Sequence, residues 1–267
     1  MIQSVTAKIA VRGLTHEYVN PFTRERVVAL GGVDLEVADG EFLTVVGPSG
    51  CGKTTLLGIV AGLIQPTRGE VLLDGRPVTG PGPDRGVVFQ EFAILPWRTV
   101  ERNIAHGLEI RGVPKAERAE SVRRFVELIG LVGFEKKYPH ELSGGMKQRV
   151  AVARTLAANP EVMLMDEPFA AVDAQTRITL QEELNAIAQA TKKTILFVTP
   201  NVEEAVFLGD RCCVLTRRPG RVKALVTVPI PRGQRTWKLF TSDPAFDATK
   251  ERVLKLVREE VSGEERS

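Results

Sequence analysis

Residues 47–55 read GPSGCGKTT and fit the pattern G-x-x-x-x-G-K-[ST]. The apolar run FLTVV at residues 42–46 precedes them and a helix-like segment at residues 54–63 follows, so we predict a strand, a loop and a helix in succession. In such a loop the glycines let the backbone amides turn inward, and the start of the helix adds a positive dipole. These residues, called the phosphate loop below, are therefore predicted to hold phosphate groups rather than to form a glycine-rich surface turn.

The residues of the phosphate loop have distinct predicted roles. Lys53 is expected to reach the terminal phosphates of a nucleotide, and the hydroxyl of Thr54 is expected to hold Mg²⁺. Every residue of the loop is a predicted nucleotide contact: Gly47, Pro48, Ser49, Gly50, Cys51, Gly52, Lys53, Thr54 and Thr55. A phosphate loop by itself leaves kinases, GTPases, helicases and transport motors open.

The composition describes a chain that can bury a core and that has no nucleic-acid surface. Of its 267 residues 43% are hydrophobic and 26% are charged, and 36 basic against 33 acidic residues leave a net charge of +3. No stretch combines clustered Lys and Arg with aromatic residues, so nucleic acid is not indicated as a partner. The basic cluster at residues 217–223 is interpreted as a solvated hairpin rather than a binding patch.

The cysteines and the hydropathy pattern favour a reducing compartment. One of the three cysteines lies inside the phosphate loop and the other two are neighbours in an apolar run, so they form no disulfide framework. No stretch approaches the roughly 18 apolar residues of a membrane span, and no signal-like segment is present. We expect a cytosolic chain whose action at a membrane requires another subunit.

Apolar runs alternate with helix-like segments along the chain, which predicts an α/β fold with a parallel sheet. Strands are expected at residues 8–14, 27–37, 42–46, 69–73, 87–90, 162–165, 194–199 and 212–216, with glycines interrupting the second. Helices are expected at residues 175–191 and 202–208. Near the C-terminus, Phe246, Val253, Leu256 and Val257 fit an amphipathic helix that packs on the domain rather than forming a regulatory module.

Residues 91–159 change to a helical pattern and are predicted to form an inserted subdomain. Val122, Phe125, Val126 and Ile129 follow helical spacing, with Pro114 expected to start the helix and Gly130 expected to stop it.

Two predicted strands end in polar residues that suit catalysis. The apolar strand at residues 162–165 ends at Asp166 and Glu167, and the strand at residues 87–90 ends in Gln90. Because the carboxyl ends of parallel strands face the ligand crevice, Asp166 is a candidate Mg²⁺ ligand. Gln90 is a candidate ligand of Mg²⁺ or of water. Glu167 is a candidate base that activates water.

Residues 142–149, LSGGMKQR, predict a second helix start that could bind an anion. Ser143 and two glycines precede a helix expected to begin near Met146. One γ-phosphate does not need two such sites in one chain, so the second site is expected to serve the nucleotide of a partner subunit. A simple serine cap is the alternative interpretation.

Taken in order, these motifs resemble the ATP-binding subunit of ABC transporters over nearly the whole chain. The resemblance implies a P-loop NTPase fold of ABC type, with a mostly parallel sheet core, an antiparallel N-terminal β region and the inserted helical subdomain. It implies a domain over residues 1–230 and an extension over residues 231–267. The ATP contacts that it adds are Tyr18, Ser143, Gly144, Gly145 and Asp173. Tyr18 is expected on a short loop where its ring stacks on adenine, with a core aromatic as the alternative.

The resemblance also implies catalysis and partners. Glu167, Gln90 and Lys53 would hydrolyse ATP with Mg²⁺, and the chain would form a head-to-tail dimer with a copy or a paralogue. Residues 92–97 would grip a helix of a permease at the cytoplasmic face of the membrane, with an extracytoplasmic binding protein acting indirectly. Residues 80–90, 95–100 and 217–222 are similar to importers of nitrate, aliphatic sulfonates or taurine. ABC ATPases of DNA repair or translation fit poorly, because the chain has one copy and no heptads.

One position departs from the family pattern. After the strand at residues 194–199, members carry a histidine that contacts the γ-phosphate, whereas this chain has Pro200. His16, His106 and His140 are distant in sequence. A shifted loop or a tolerated change is the alternative interpretation of Pro200. We expect ATP binding with slow hydrolysis unless Glu167 and Gln90 suffice, and the alternative function is a low-turnover regulatory or scaffolding subunit paired with a complete ATPase.

Overall fold

The computed structural model describes residues 7–90, 93–170 and 172–262. It divides into two compact units, one formed by Met1–Gly82 with Asn185–Ser267 and the other by Pro83–Leu184. The strands are β1 Ala7–Val19, β2 Arg26–Ala38, β3 Phe42–Val46, β4 Arg68–Leu73, β5 Arg76–Pro77, β6 Arg85–Val88, β7 Val162–Asp166, β8 Thr194–Val198, β9 Arg211–Leu215 and β10 Val222–Thr227. The α-helices are α1 Lys53–Val60, α2 Val100–Ile110, α3 Lys115–Leu128, α4 Gly144–Ala157, α5 Ala174–Thr191, α6 Val202–Leu208, α7 Trp237–Phe240 and α8 Pro244–Ser262.

The first unit contains an antiparallel sheet with the strand order β2-β1-β4-β5. The strand β2 runs through Gly31 and Gly32 without the predicted interruption, because the register with β1 shifts there and absorbs the left-handed φ of 90° at Gly32. The turn between β4 and β5 is formed by Asp74 and Gly75, whose φ angles of 49° and 74° match the two-residue hairpin turns that favour Asp-Gly.

The same unit contains the parallel strands that position the phosphate loop. Here β3 pairs in parallel with both β8 and β9, and β10 adds antiparallel to β9. Every residue of β3 and β8 is buried, which explains their continuous apolar runs. The strand predicted at residues 42–46 and the helix predicted at residues 202–208 have the observed bounds of β3 and α6.

The second unit combines the parallel pair β6 and β7 with α2, α3 and α4. As predicted, Pro114 lies at the start of α3, and Gly130 follows its end with a φ of 64°. The strand predicted at residues 87–90 is wrong at its end, because β6 stops at Val88 and Gln90 lies in the following loop.

The C-terminal segment packs within the first unit. A short 3-10 turn, Arg232–Gln234, replaces part of the predicted loop and leads to α7 and α8. Phe246 on α8 is 0% exposed and its ring packs edge-on against Phe240, whose ring does the same to Phe207 of α6. Of the helices in the described residues, none is long and apolar enough to cross a membrane.

Candidate nucleotide-binding site

The phosphate loop follows β3 and ends in α1, as its sequence predicts. Lys53 is the first residue of α1 and is only 6% exposed. Its ammonium group donates to the carbonyl oxygens of Gly47 and Pro48, both at 2.9 Å, so the side chain folds back across the loop. Both acceptors are neutral carbonyl oxygens.

Glycine is required in the phosphate loop for two reasons. Gly50 and Gly52 have φ angles of 71° and 101°, which side chains disfavour. At Gly52 a methyl group would also lie 2.7 Å from Cδ2 of Leu30, and at Gly47 it would lie 3.0 Å from the carbonyl oxygen of Leu215. The loop is therefore closely backed by its neighbours as well as tightly turned.

The N-terminus of α1 suits an anion. Gly52 occupies the N-cap position, and within the described residues no side chain caps the helix and no acidic residue lies in its first turn. The positive end of the helix dipole is left for a negatively charged ligand.

Tyr18 lies beside the phosphate loop, although the predicted loop location is wrong. It belongs to β1, where it pairs with Val27 of β2. Its hydroxyl is 3.1 Å from Oγ1 of Thr55, and its ring meets His16 edge-on at 4.5 Å. Because the Tyr18 residue is 45% exposed, it is not a core aromatic and its ring is accessible to a ligand.

The cysteines are buried thiols without a disulfide. Burial raises the pKa of Cys51 in the phosphate loop, with Lys53 opposing the shift, and burial raises the pKa of Cys212 to about 11. Thiols held in the protonated form are poor nucleophiles, so these cysteines contribute packing.

In the second unit, Ser143 caps α4. Its hydroxyl accepts a hydrogen bond from the amide of Met146 at 3.3 Å, and the helix begins at Gly144, two residues before the predicted start. A methyl group at Gly145 would lie 2.7 Å from Cγ2 of Thr176, so this end of α4 lies against α5. The hydroxyl hydrogen of Ser143 can still donate to an anion, so the two interpretations of this motif are compatible.

The second unit also brings Gln90, Asp166 and Glu167 to one edge of a parallel pair. Val88 of β6 is paired with Met165 of β7, so Gln90 and Glu167 each lie two residues beyond a paired position. Asp166 is the last residue of β7 and is buried. Glu167 has a φ of 43°, in the left-handed region that residues other than glycine adopt at some energetic cost.

Asp173 lies at the start of α5. It accepts a hydrogen bond from the amide of Thr176 at 3.0 Å, and that backbone hydrogen bond lowers the pKa of Asp173. The neighbouring Ala171, and Phe92 in the segment predicted to contact a permease, lie outside the described residues.

Pro200 follows β8 in the first unit. Val45 is paired with Val198, and the amide of Thr199 donates to the carbonyl of Val45 at 3.1 Å, which places Pro200 level with Gly47 of the phosphate loop. The side chain of Asn201 caps α6 by accepting from the amides of Glu203 and Glu204.

Sequence reasoning missed the hydrogen bonds that hold the loop before α6. The hydroxyl of Thr199 donates to the buried carboxylate of Glu204 and accepts from the amide of Asn201 at 3.0 Å. An asparagine directly before a helical run is an N-cap signal that identifies part of this arrangement. His16 lies in β1 of the first unit, and His106 and His140 lie in the second unit.

A family model described as ABC transporter matches residues 30–170. An uncharacterised ABC transporter ATP-binding protein of Methanocaldococcus jannaschii is 54% identical over 95% of this chain and 92% of its own length. The nitrate import ATP-binding protein NrtD of Synechocystis is 45% identical over 88% of this chain and 90% of its own length. The taurine import ATP-binding protein TauB of Pseudomonas putida is 46% identical over 84% of this chain and 87% of its own length.

A solved structure agrees with these relatives. A dimeric ATP-binding cassette in a post-hydrolysis state with ADP and Pi is similar with a TM-score of 0.73 and 30% identity, covering 84% of this chain and all of the other. The fold and the phosphate loop define a P-loop nucleotide-binding protein. Within that class, the chain belongs to the ABC transporter family and is an ATP-binding subunit with the ATPase fold predicted from the sequence.

Proposed function

We propose that the chain hydrolyses ATP to energise an importer of small anions such as nitrate, aliphatic sulfonates or taurine. The similarity to NrtD and TauB over most of the chain supports this substrate group. The observation that carries the ATP-binding role is the phosphate loop. Its buried Lys53 is the first residue of α1, so a lysine and a helix N-terminus lie at the same place.

Lys53 leaves its two carbonyl acceptors and binds the terminal phosphates. A charged phosphate oxygen is a stronger acceptor than a neutral carbonyl, which favours the exchange. The remaining loop residues hold the phosphates through their backbone amides, and Tyr18 stacks on the adenine. Thr54, Gln90 and Asp166 are the proposed Mg²⁺ ligands, because they offer hydroxyl, amide and carboxylate oxygens, which Mg²⁺ prefers.

No group of three His, Cys, Asp or Glu residues forms a metal site in the part of the chain that the structure describes. Mg²⁺ in NTPases is held by one or two carboxylates together with phosphate oxygens, and it would neutralise the charge that develops on those oxygens.

Glu167 and Gln90 act on the attacking water. The strained backbone of Glu167 turns this residue out of the line of β7, and its carboxylate accepts a proton from the water. Gln90, at the same edge of the β6 and β7 pair, orients the water. Ser143, Gly144, Gly145 and Asp173 contact the nucleotide of a second ATP-binding subunit, which is a copy or a paralogue.

The membrane partners follow from the importer assignment. A permease binds at the loop before α2, where Trp97 is exposed, and this contact holds the chain at the cytoplasmic face of the membrane. An extracytoplasmic binding protein selects the substrate indirectly. The ATPase domain spans residues 1–230, with its helical subdomain at about 91–159, and residues 231–267 form an extension.

Pro200 supports a second candidate function. Proline has no side-chain donor and no N–H, so this position offers nothing to the γ-phosphate. In this second function the chain binds ATP but hydrolyses it slowly, because the residue level with Gly47 is a proline. In that case it acts as a low-turnover regulatory or scaffolding subunit paired with a complete ATPase.

ATP hydrolysis distinguishes the two functions. The purified chain is measured alone and in proteoliposomes with its permease, beside a Glu167→Gln blank. Turnover well above the blank, accompanied by uptake of nitrate or taurine, supports the importer motor. Turnover equal to the blank, with ATP still bound, contradicts it and supports the low-turnover subunit.

A further inference from the structure

The turn between β9 and β10 lies against the phosphate loop. Residues 216–221, TRRPGR, are called the outer turn here. Thr216 locks the turn internally, because its hydroxyl donates to the carbonyl of Pro219 at 3.2 Å and accepts from the amide of Arg221 at 3.0 Å. The turn is therefore a preformed element rather than a loose hairpin end.

Gly220 joins the outer turn to β2. Its amide donates to the carbonyl of Ala29 at 2.9 Å, and its carbonyl accepts from the amide of Gly31 at 3.0 Å. A methyl group added at Gly220 would overlap the carbonyl oxygen of Cys51 in the phosphate loop. Since the φ of Gly220 is outside the left-handed region, close approach is the reason for glycine at this position.

The neighbours of Gly220 also back the phosphate loop directly. Leu30, which forms a bridge with Gly220, would collide with any side chain at Gly52. Leu215, just before the outer turn, approaches Gly47 in the same way. The loop is thus supported near both of its ends by β2, β9 and the outer turn.

A glutamate of α8 fixes the outer turn from its other side. One carboxylate oxygen of Glu260 accepts from the amide of Arg217 at 3.0 Å, and the other pairs with Lys223 at 2.7 Å. The neighbouring Glu259 contacts Lys223 at 2.9 Å, but its side chain is 48% exposed against 17% for Glu260. Glu260 therefore holds both flanks of the turn, whereas Glu259 holds one side chain.

We infer that Gly220 is a positioning residue for ATP binding, and that the outer turn, held by Glu260, keeps the Cys51 segment in its phosphate-binding shape. This inference rests on the phosphate loop being the ATP site of the proposed function. Displacing the loop backbone misaligns several amide donors at once, so the effect falls on nucleotide affinity before it falls on the fold.

The first test compares two glycine substitutions in equilibrium binding of ATP. We expect Gly220→Ala to weaken ATP binding by about tenfold or more, as for other displacements of a preorganised site. The matched control is Gly80→Ala, because a methyl group at Gly80 has no atom within 4 Å in the described residues and the φ of Gly80 is outside the left-handed region. Native affinity in a folded Gly220→Ala chain overturns the inference.

The second test decides the matter if Gly220→Ala does not fold. We expect Glu260→Gln to raise the KM for ATP by roughly threefold with little change in kcat, in line with a partly exposed ion pair. Glu259→Gln is the control and should leave KM within roughly twofold of native. A lower Tm with an unchanged KM shows a purely structural role and overturns the inference. Lys53→Met separates the two proposals: retained ATP binding in that variant contradicts the ATP site itself.

Discussion

The amide of Thr199 donates to the carbonyl of Val45 at 3.1 Å. This hydrogen bond extends the pairing of β8 with β3 to Thr199, the residue before Pro200. The pairing from Ile195 to Val198 has no shift, and Asn201 begins the cap of α6 directly afterwards. Pro200 therefore occupies an unshifted position level with the phosphate loop, and its chemistry decides what that position can offer to a nucleotide.

Pro200→His is expected to raise ATP turnover. Under the proposed function, a histidine there would supply a donor to the γ-phosphate, and one preorganised donor is worth about 10² to 10³ in rate. Steady-state phosphate release at saturating ATP measures the effect, with Glu167→Gln added to Pro200→His as the blank. Unchanged turnover would show that this position does not limit hydrolysis.

Tyr18→Ala is expected to weaken ATP binding by about 1 kcal/mol or more, because stacking of a base on an aromatic ring is lost. Tyr18→Phe loses the contact with Thr55. Because this variant keeps the ring, its affinity for ATP should lie close to native. Phe22 is the matched control, since it is 93% exposed in the turn between β1 and β2. Equal affinities for Tyr18→Ala and Phe22→Ala would refute a stacking role.

Phe246→Ala is expected to lower the free energy of unfolding by about 3 to 5 kcal/mol, the usual loss for a fully buried phenylalanine. The ring lies in the aromatic cluster that joins α8 to α6, so its removal leaves a cavity there. Chemical denaturation measures the change. Val261→Ala, at a position that is 52% exposed on the same helix, should cost far less. Similar losses for the two variants would contradict the packing of α8 as part of the domain.

Acid is expected to weaken the contact between α8 and the outer turn. Burial alone would raise the pKa of Glu260, but hydrogen bonds from Lys223 and from the amide of Arg217 outweigh it and lower the pKa. Because its pKa is lowered on folding, ionised Glu260 stabilises the fold when the pH is above 4.5, the ordinary pKa of a glutamate. This stabilisation is lost as the pH falls through the lowered pKa.

Unfolding of the native chain and of Glu260→Gln, followed from pH 7 to acid, checks this expectation. The native chain should be the more stable at pH 7, and the difference should shrink as Glu260 becomes protonated. A difference that stays constant with pH would assign the effect to packing instead of charge.

Much of the site was predictable because its residues are contiguous. Three short segments have residue types that predict their local geometry: the phosphate loop, Ser143 with its glycines, and Asp166 with Glu167. The strands β3 and β8 were also predictable from a local pattern, because strands buried on both faces consist of largely uninterrupted apolar residues.

Other features depend on which segments meet. The start of β1 resembled a short strand, and only its pairing with β2 shows that it extends past Tyr18 and turns that residue into part of a sheet. The basic cluster at residues 217–223 lies in a largely exposed hairpin between β9 and β10, as predicted. The sequence alone does not show that Glu260 accepts a hydrogen bond from the amide of Arg217, or that Gly220 lies against Cys51.

By itself, the sequence determined the ATP-binding class of this protein, because phosphate binding needs glycines, a lysine and a helix start within one short segment. The tertiary structure decided what supports that segment. The contact between Gly220 and Cys51 and the level position of Pro200 and Gly47 arise from the pairing of β3 with β8 and β9. Strand pairing depends on the burial of whole faces, and no local pattern of residues encodes it.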